Sequence, residues 1–329
     1  MMRALIWLTV LLAGLYAGYW YVGSRAALRG AETALAAAEA RGITDPAEVG
    51  IAGFPSRFDL TVEPFRLRQP PFDWQADFLQ VFALSWRPHH LIAVWPDAQR
   101  LTVAGRPMDL TVEDMRGSAV VAPTDDLALD RATVVIEAPE LAAAGGQGFA
   151  ARQIRLAVGA EDAARQTLRL GLEALDIVPA TGSRAVADPG GALPDSIDWL
   201  RLDATLGLDA PLDRQALARP PRPESLDIRD LSLRWGALSL TASGRLGIDR
   251  DGRLTGQIDL EAARWREVLG LAVAAGLVRA ELAPTYGAAL TALANAAGGP
   301  DDTLRVPLIF AGGWATLGPL PLGRAPRLR

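Results

Sequence analysis

Between residues 226 and 260 the apolar side chains fall on alternate positions. They are Leu231, Leu233 and Trp235, then Leu238, Leu240 and Ala242, then Leu246 and Ile248, then Leu254, Ile258 and Leu260. Successive side chains on a strand point to opposite faces, so a period of two predicts three consecutive strands with one apolar and one polar face. The alternation recurs in Ile154, Leu156 and Val158, in Leu168, Leu170, Leu172 and Ala174, and most regularly in Leu200, Leu202, Ala204, Leu206 and Leu208. Residues 57–62 open the series with Phe58, Leu60 and Val62 on one side. Residues 77–86 and 90–95 are almost continuously apolar around Pro88, which predicts strands buried on both faces. Shorter strands are expected at 101–103, 109–112, 119–122 and 132–138, and 141–148 reads as a small-residue loop or helical turn.

The period changes at both ends of the chain. Residues 4–22 carry no charge, and at about 1.5 Å per residue they reach about 28 Å, close to the hydrocarbon thickness of a bilayer. Leu5, Trp7 and Leu11 lie within this span, and Tyr19, Trp20 and Tyr21 end it. That aromatic end suits a membrane interface better than a small-residue cleavage site, so the segment reads as an uncleaved single-pass anchor, with a cleaved signal as the alternative. Arg3 alone precedes the span, which keeps the N-terminus cytoplasmic, although Arg25 and Arg29 beyond it oppose that orientation. Residues 24–42 are Ala-rich and helical, with Ser24 as N-cap and Gly42 as stop, and would lie across the start of the sheet.

Near the other end, residues 262–297 switch to helical spacing, with Trp265, Val268, Leu269, Ala272, Val273, Gly276 and Leu277 forming a buried stripe. The first helix is expected to reach Leu282. A second should run from Pro284 to the stop Gly298-Gly299-Pro300, before strands at 303–310 and from Trp314. The class is mainly β (α+β): a transmembrane helix, then a long curved antiparallel sheet or groove of about a dozen strands with a few helices. The expected divisions are 1–23 (anchor), 24–42 (linker helix) and 43–329 (β-rich body), with a possible sub-boundary in the Gly/Pro/Ser/Asp-rich stretch near 180–195.

Composition narrows the function. Of 329 residues half are apolar and 22% charged, which describes a folded chain. A net charge of −5 and a pI near 5.2 argue against nucleic acid as a partner. Every basic residue is Arg, and the absence of cysteine excludes disulfides, thiolate ligands and Cys nucleophiles. His89 and His90 are the only histidines, and as neighbours on a strand they point apart and cannot share a metal. Asp249, Asp251 and Gly252 read as a hairpin tip, not a calcium loop, because too few oxygen ligands follow. Asp125-Asp126 and Asp301-Asp302 read as solvated turns. No nucleotide, phosphate or zincin motif is present, so no catalytic residue, metal or cofactor is assigned. The nine Trp suit core packing, or alternatively a lipid groove or membrane surface.

Two stretches carry a resemblance: Gly53-Phe54-Pro55-Ser56-Arg57-Phe58-Asp59, and residues 82–96, FALSWRPHHLIAVWP. With them the chain resembles an alphaproteobacterial envelope family catalogued as the domain of unknown function twenty-one twenty-five, a family without an established activity. The second half also resembles the C-terminal region of AsmA-like proteins in the turn Asp249-Arg250-Asp251-Gly252 and the closing strand Val306-Pro307-Leu308-Ile309-Phe310. That likeness implies inner-membrane anchoring, a periplasmic body, and a curved apolar groove linked to phospholipid movement and outer-membrane assembly.

The expected function is therefore a binding or transport module. An inner-membrane helix would tether a periplasmic β-groove that holds phospholipid or another apolar ligand, with Leu202, Leu206, Leu231, Leu233, Trp235, Leu240, Leu246, Ile258 and Leu308 as its lining. The alternative is a scaffold whose sheet faces are covered and which acts through envelope proteins; an enzyme ranks third.

Overall fold

The computed structural model of the protein describes residues 2–124, 126–143, 148–162, 164–180, 182, 184–185, 188, 191, 193–216, 218–274, 278–297 and 302–327. Helix α1 (Met2–Glu39) is one unbroken element that joins the apolar span to the Ala-rich segment. Ser24 is therefore not an N-cap: no helix-breaking pair separates the segments, and its hydroxyl donates back to the Tyr21 carbonyl at 2.9 Å. The stop is at Gly42, which adopts φ +68 while its N–H donates to Glu39 and that of Ile43 to Ala38.

The body is a meander with a crease running across it. Its first strands are β1 (Glu48–Ala52), β2 (Arg57–Glu63), β3 (Phe65–Gln69), β4 (Phe72–Ala76), β5 (Leu79–Leu84), β6 (Arg87–Val94) and β7 (Ala98–Val103). Then come β8 (Arg106–Thr111), β9 (Asp114–Val121), β10 (Leu129–Glu137), β11 (Glu140–Ala143), β12 (Gly148–Ala150), β13 (Gln153–Ala160) and β14 (Thr167–Pro179). The remainder are β15 (Ile197–Leu208), β16 (Pro223–Trp235), β17 (Leu238–Ile248), β18 (Leu254–Ala263), β19 (Thr303–Ala311), β20 (Trp314–Leu317) and β21 (Leu320–Arg324). Among the described residues these 21 strands form one antiparallel sheet, the expected class.

Pairing separates the sheet into two walls. The main wall runs β1-β2-β5-β6-β9-β10-β13-β14 and on in chain order through β21. The second wall runs β3-β4-β7-β8-β11-β12 and ends on the last residues of β14. Each long strand up to β13 thus begins in one wall and finishes in the other. Breaks fall at Pro64, at Pro96 and at Ala138-Pro139, where proline removes a ladder donor and Ala138 takes φ +45. Backbone bonds still cross the crease, as from Val112 N–H to Asp97 at 2.9 Å and from Ala151 N–H to Pro139 at 3.0 Å. The walls are two halves of one folded sheet.

Helix α2 (Trp265–Ala274), a 3-10 turn (Ala280–Leu282) and α3 (Ala283–Ala297) pack over β17 and β19. The helical stretch starts later than expected because Ala262 and Ala263 still pair with Leu304 and Thr303 in β18–β19. The first helix is described as far as Ala274, and Leu282 falls in the separate 3-10 turn; Gly276, Leu277, the stop at 298–300, Asp125 and Asp301 lie outside the described residues. Strands β5 and β6 are not buried on both faces: Leu84 and Ile92 point into solvent, because an antiparallel wall with a polar side need cover only one face. The expected loop at 141–148 contributes to β11 and β12. Across the stretch near 180–195, which is only partly described, β14 and β15 pair from Thr167↔Gly207 to Ile177↔Ile197, so the sheet is continuous through it.

Candidate functional site

Paired residues in an antiparallel ladder share a face, so the register shows how the apolar positions line up. One row runs Ile51, Leu60, Val81, Ala93, Gly117, Val134, Leu156, Leu172, Leu202, Leu231, Ala242, Leu260 and Val306, from β1 to β19 without a polar residue. Parallel rows beside it are equally apolar: Ile136, Ile154, Ala174, Leu200, Leu233, Leu240 and Ala262 on one side, and Val158, Leu170, Ala204, Ile228, Gly244, Ile258 and Leu308 on the other. In β16 the face moves from odd to even positions between Leu231 and Ile228, where a bulge inserts one residue.

The coverage of this face is uneven. Beyond β15 it is core. Trp235 is fully buried with Leu193, Ile197 and Leu238, and its indole N–H donates to the Pro194 carbonyl at 2.8 Å. Leu246 and Ile258 are buried with Phe310 and Ala315, and Leu202, Leu231 and Leu308 pack half-buried against them. Leu240 lies under α2 and α3 with Trp265 and Leu290, Leu233 beside Trp235, and Leu206 is half-buried on β15. The nine expected groove residues therefore share one face, but Trp235, Leu246 and Ile258 are buried on it.

The open part of the face is earlier in the chain, on β9 to β14. Leu156, at the centre of the long row, is 40% exposed, and Val134, Val158, Leu170 and Leu172 around it are half-buried. The second wall turns its own apolar row toward this space. Leu67, Trp74, Leu101 and Met108 are in register, and Phe65, Ala76, Gln99, Leu110, Leu141 and Phe149 form the adjoining row. Phe72 and Phe149 on this wall are exposed. At the crease the space is filled: Trp74 stacks on Trp95 with centroids 5.6 Å apart, Phe65 meets Trp74 edge-on, and Gln99 accepts the Trp74 indole N–H at 2.7 Å. The result is an apolar trough with a packed floor at the crease and with Leu156, Phe72 and Phe149 exposed on its walls. The alternation of Ile154, Leu156 and Val158 signalled this strand in the sequence; the second wall gave only the short signals at 101–103 and 109–112, because the crease shifts the period in most strands.

The reverse face is polar and zipped by ion pairs between neighbouring strands. Arg201 pairs with Glu173 at 2.9 Å, Arg169 with Asp203 at 2.7 Å, Arg245 with Asp227 at 2.8 Å and Arg305 with Glu261 at 2.9 Å. Hydrogen bonds from Arg169 and Arg305 hold the Asp203 and Glu261 carboxyls below their ordinary range. Near the start of the body, Arg66 bridges Asp45 (2.7 Å) and Asp73 (2.6 Å), and its hydrogen bonds lower both carboxyls.

The N-terminal helix is long and apolar enough to cross a membrane. Leu5, Trp7 and Leu11 are exposed, whereas the end of the span is built into the body. The Tyr16 hydroxyl lies 2.8 Å from the Ser85 hydroxyl, the Tyr19 hydroxyl donates to the Ser85 carbonyl at 2.5 Å, and the Trp20 indole donates to the Arg57 carbonyl at 2.7 Å. Phe54 stands edge-on to Trp20, and Gly23 lets the helix rest on the Phe58 ring. Tyr21 faces away, with Arg25 over its ring. A half-buried stripe of Leu28, Ala31, Leu35 and Ala38 continues along the helix beside β1.

The remaining candidates behave as structural residues. His90 pairs with the Ser118 hydroxyl at 3.0 Å, and no group of three or more metal-ligating side chains occurs among the described residues. Asp249 caps its own hairpin, accepting from the N–H groups of Asp251 and Arg253, with Gly252 at φ +74. Two further Trp, 86 and 314, are exposed, and Trp199 lies on the polar face under Arg201.

A family model described as an uncharacterized protein conserved in bacteria (DUF2125) matches residues 20–326, nearly the whole chain. No curated protein and no solved structure matches it.

Proposed function

The chain belongs to that uncharacterized bacterial family, and from this premise we propose that it is a membrane-anchored, non-enzymatic protein whose creased sheet holds the acyl chains of phospholipid. The observation that carries the reading is the apolar row itself, which leaves Leu156 exposed on the main wall and begins beside a helix long enough to span a bilayer. Binding would be hydrophobic and non-covalent, at about 0.8 kcal/mol per buried methylene, so a single acyl chain suffices for retention while its head group stays in water. The ligand would reach the trough from the bilayer, because α1 packs on β1 and β2, the first strands of the row. The hydrogen bonds from Tyr16, Tyr19 and Trp20 to the body support a helix retained as an anchor over one removed as a signal. The proposed location is the inner membrane with the body in the periplasm; Arg3 before the span supports that orientation, Arg25 and Arg29 oppose it, and the cysteine-free composition is compatible with it.

A second reading, a scaffold acting through envelope proteins, is favoured by the closed core beneath α2 and α3, where the apolar face is already satisfied. Native mass spectrometry of the full chain released from membranes in mild detergent tests the first reading: adducts with phospholipid masses are expected, and a bare chain under conditions that preserve known lipid complexes would contradict it.

A further inference from the structure

We propose that the hairpin tip at residues 84–87, with Phe54 beside it, is a second membrane-contacting element. It would sit at the boundary of head groups and acyl chains and fix the first strands of the trough against the bilayer. The inference rests on the anchor reading of α1 and adds to it a surface of the body. Three observations meet here. Trp86 is 60% exposed, Phe54 58% and Leu84 38%, all within one corner of the body. That corner is held to α1 by the buried Ser85, whose hydroxyl meets Tyr16, whose carbonyl accepts from Tyr19 and whose N–H donates to Ser56 at 3.0 Å.

The third observation is length. Residues 4–15, the part of the uncharged stretch after Arg3 that is exposed throughout, extend as a helix only about 18 Å, short of the roughly 30 Å hydrocarbon layer. The layer is filled only if the helix stays in it to about residue 22, where the uncharged stretch ends before Arg25. Tyr16 and Tyr19 then lie about 9 and 4.5 Å below the end of the span. Whatever is bonded to them shares their depth. The hairpin tip meets this with two large apolar side chains and with Arg87, exposed at the same turn and long enough to reach lipid phosphate.

Because the natural chain has no cysteine, introduced ones are unique labelling sites. The full chain carrying Leu11→Cys, Trp86→Cys, Phe54→Cys or Arg245→Cys would be labelled with nitrobenzoxadiazole in phosphatidylethanolamine–phosphatidylglycerol nanodiscs. Dithionite reduction would then be timed. Label at positions 11, 86 and 54 should be reduced on the order of tenfold more slowly than at 245 on the polar face. Reduction at 86 and 54 as fast as at 245, with 11 protected, would overturn the hairpin contact and leave the anchor standing. Fast reduction at 11 as well would remove the anchor and this inference with it. Phe54→Cys reports independently should Trp86→Cys fail to fold.

Discussion

Trp74 and Trp95 belong to different walls of the sheet, yet their rings stack at 5.6 Å with planes 25° apart. The contact is made possible by Gly117, since a Cβ there would meet the Trp95 ring at 3.1 Å. These two rings form the floor of the crease.

Trp95→Ala should therefore open the second wall without unfolding the C-terminal sheet. The loss of this large, half-buried ring is expected to cost about 1–3 kcal/mol. Hydrogen exchange should quicken in β3, β4, β7 and β8, while β16 to β19 keep wild-type protection. Uniform loss of protection across the molecule would contradict the division into walls.

Core and open trough should respond differently to substitution on the same face. Trp235→Ala removes a fully buried side chain and should cost about 3–5 kcal/mol. Leu156→Asn, at an exposed position, should cost less than about 1 kcal/mol. Urea unfolding midpoints of the two variants provide the comparison, and similar large losses would mean that Leu156 is core.

The Arg66 bridge predicts a particular acid response. Asp45 and Asp73 are held below the usual carboxylate range by hydrogen bonds from Arg66. A lowered folded value means stabilisation that is present above the unfolded value of about 4 and lost as pH falls through the folded one. Between pH 6 and pH 2.5 the wild type should lose more stability than Asp73→Asn, and unfolding curves at both pH values measure the difference. An equal loss would show that the bridge contributes nothing.

The polar face should be far more tolerant. Arg201→Ala breaks an exposed pair with Glu173, and such pairs are worth about 0.2–1 kcal/mol. Its melting temperature should stay close to wild type, in 0.5 M salt as in dilute buffer.

Much of this architecture was readable as period two. The strands carrying Leu200 to Leu208 and Leu231 to Leu260 were legible because each is long, regular and polar on its reverse side. The crease was not legible, because breaks after strands of three to nine residues reset the alternation, as at Pro64 and Ala138-Pro139, and short segments resemble loops. The expected lining falls further along the chain than the exposed part of the face for a related reason. Alternation identifies the apolar face, but which part of it is covered depends on where α2 and α3 and the loop around Leu193 settle. That is tertiary information. Leu156 and Leu202 are equivalent in the pattern and differ only in what packs above them.

On the proposed function, the apolar face around Leu156 takes lipid. A photo-crosslinking residue placed at Leu156 in the full chain, with another at Trp199 on the polar face as control, tests it in intact membranes. Phospholipid attached at position 156 and absent at 199 is the predicted result. Crosslinks from 156 to protein alone would contradict it and leave the scaffold reading in its place.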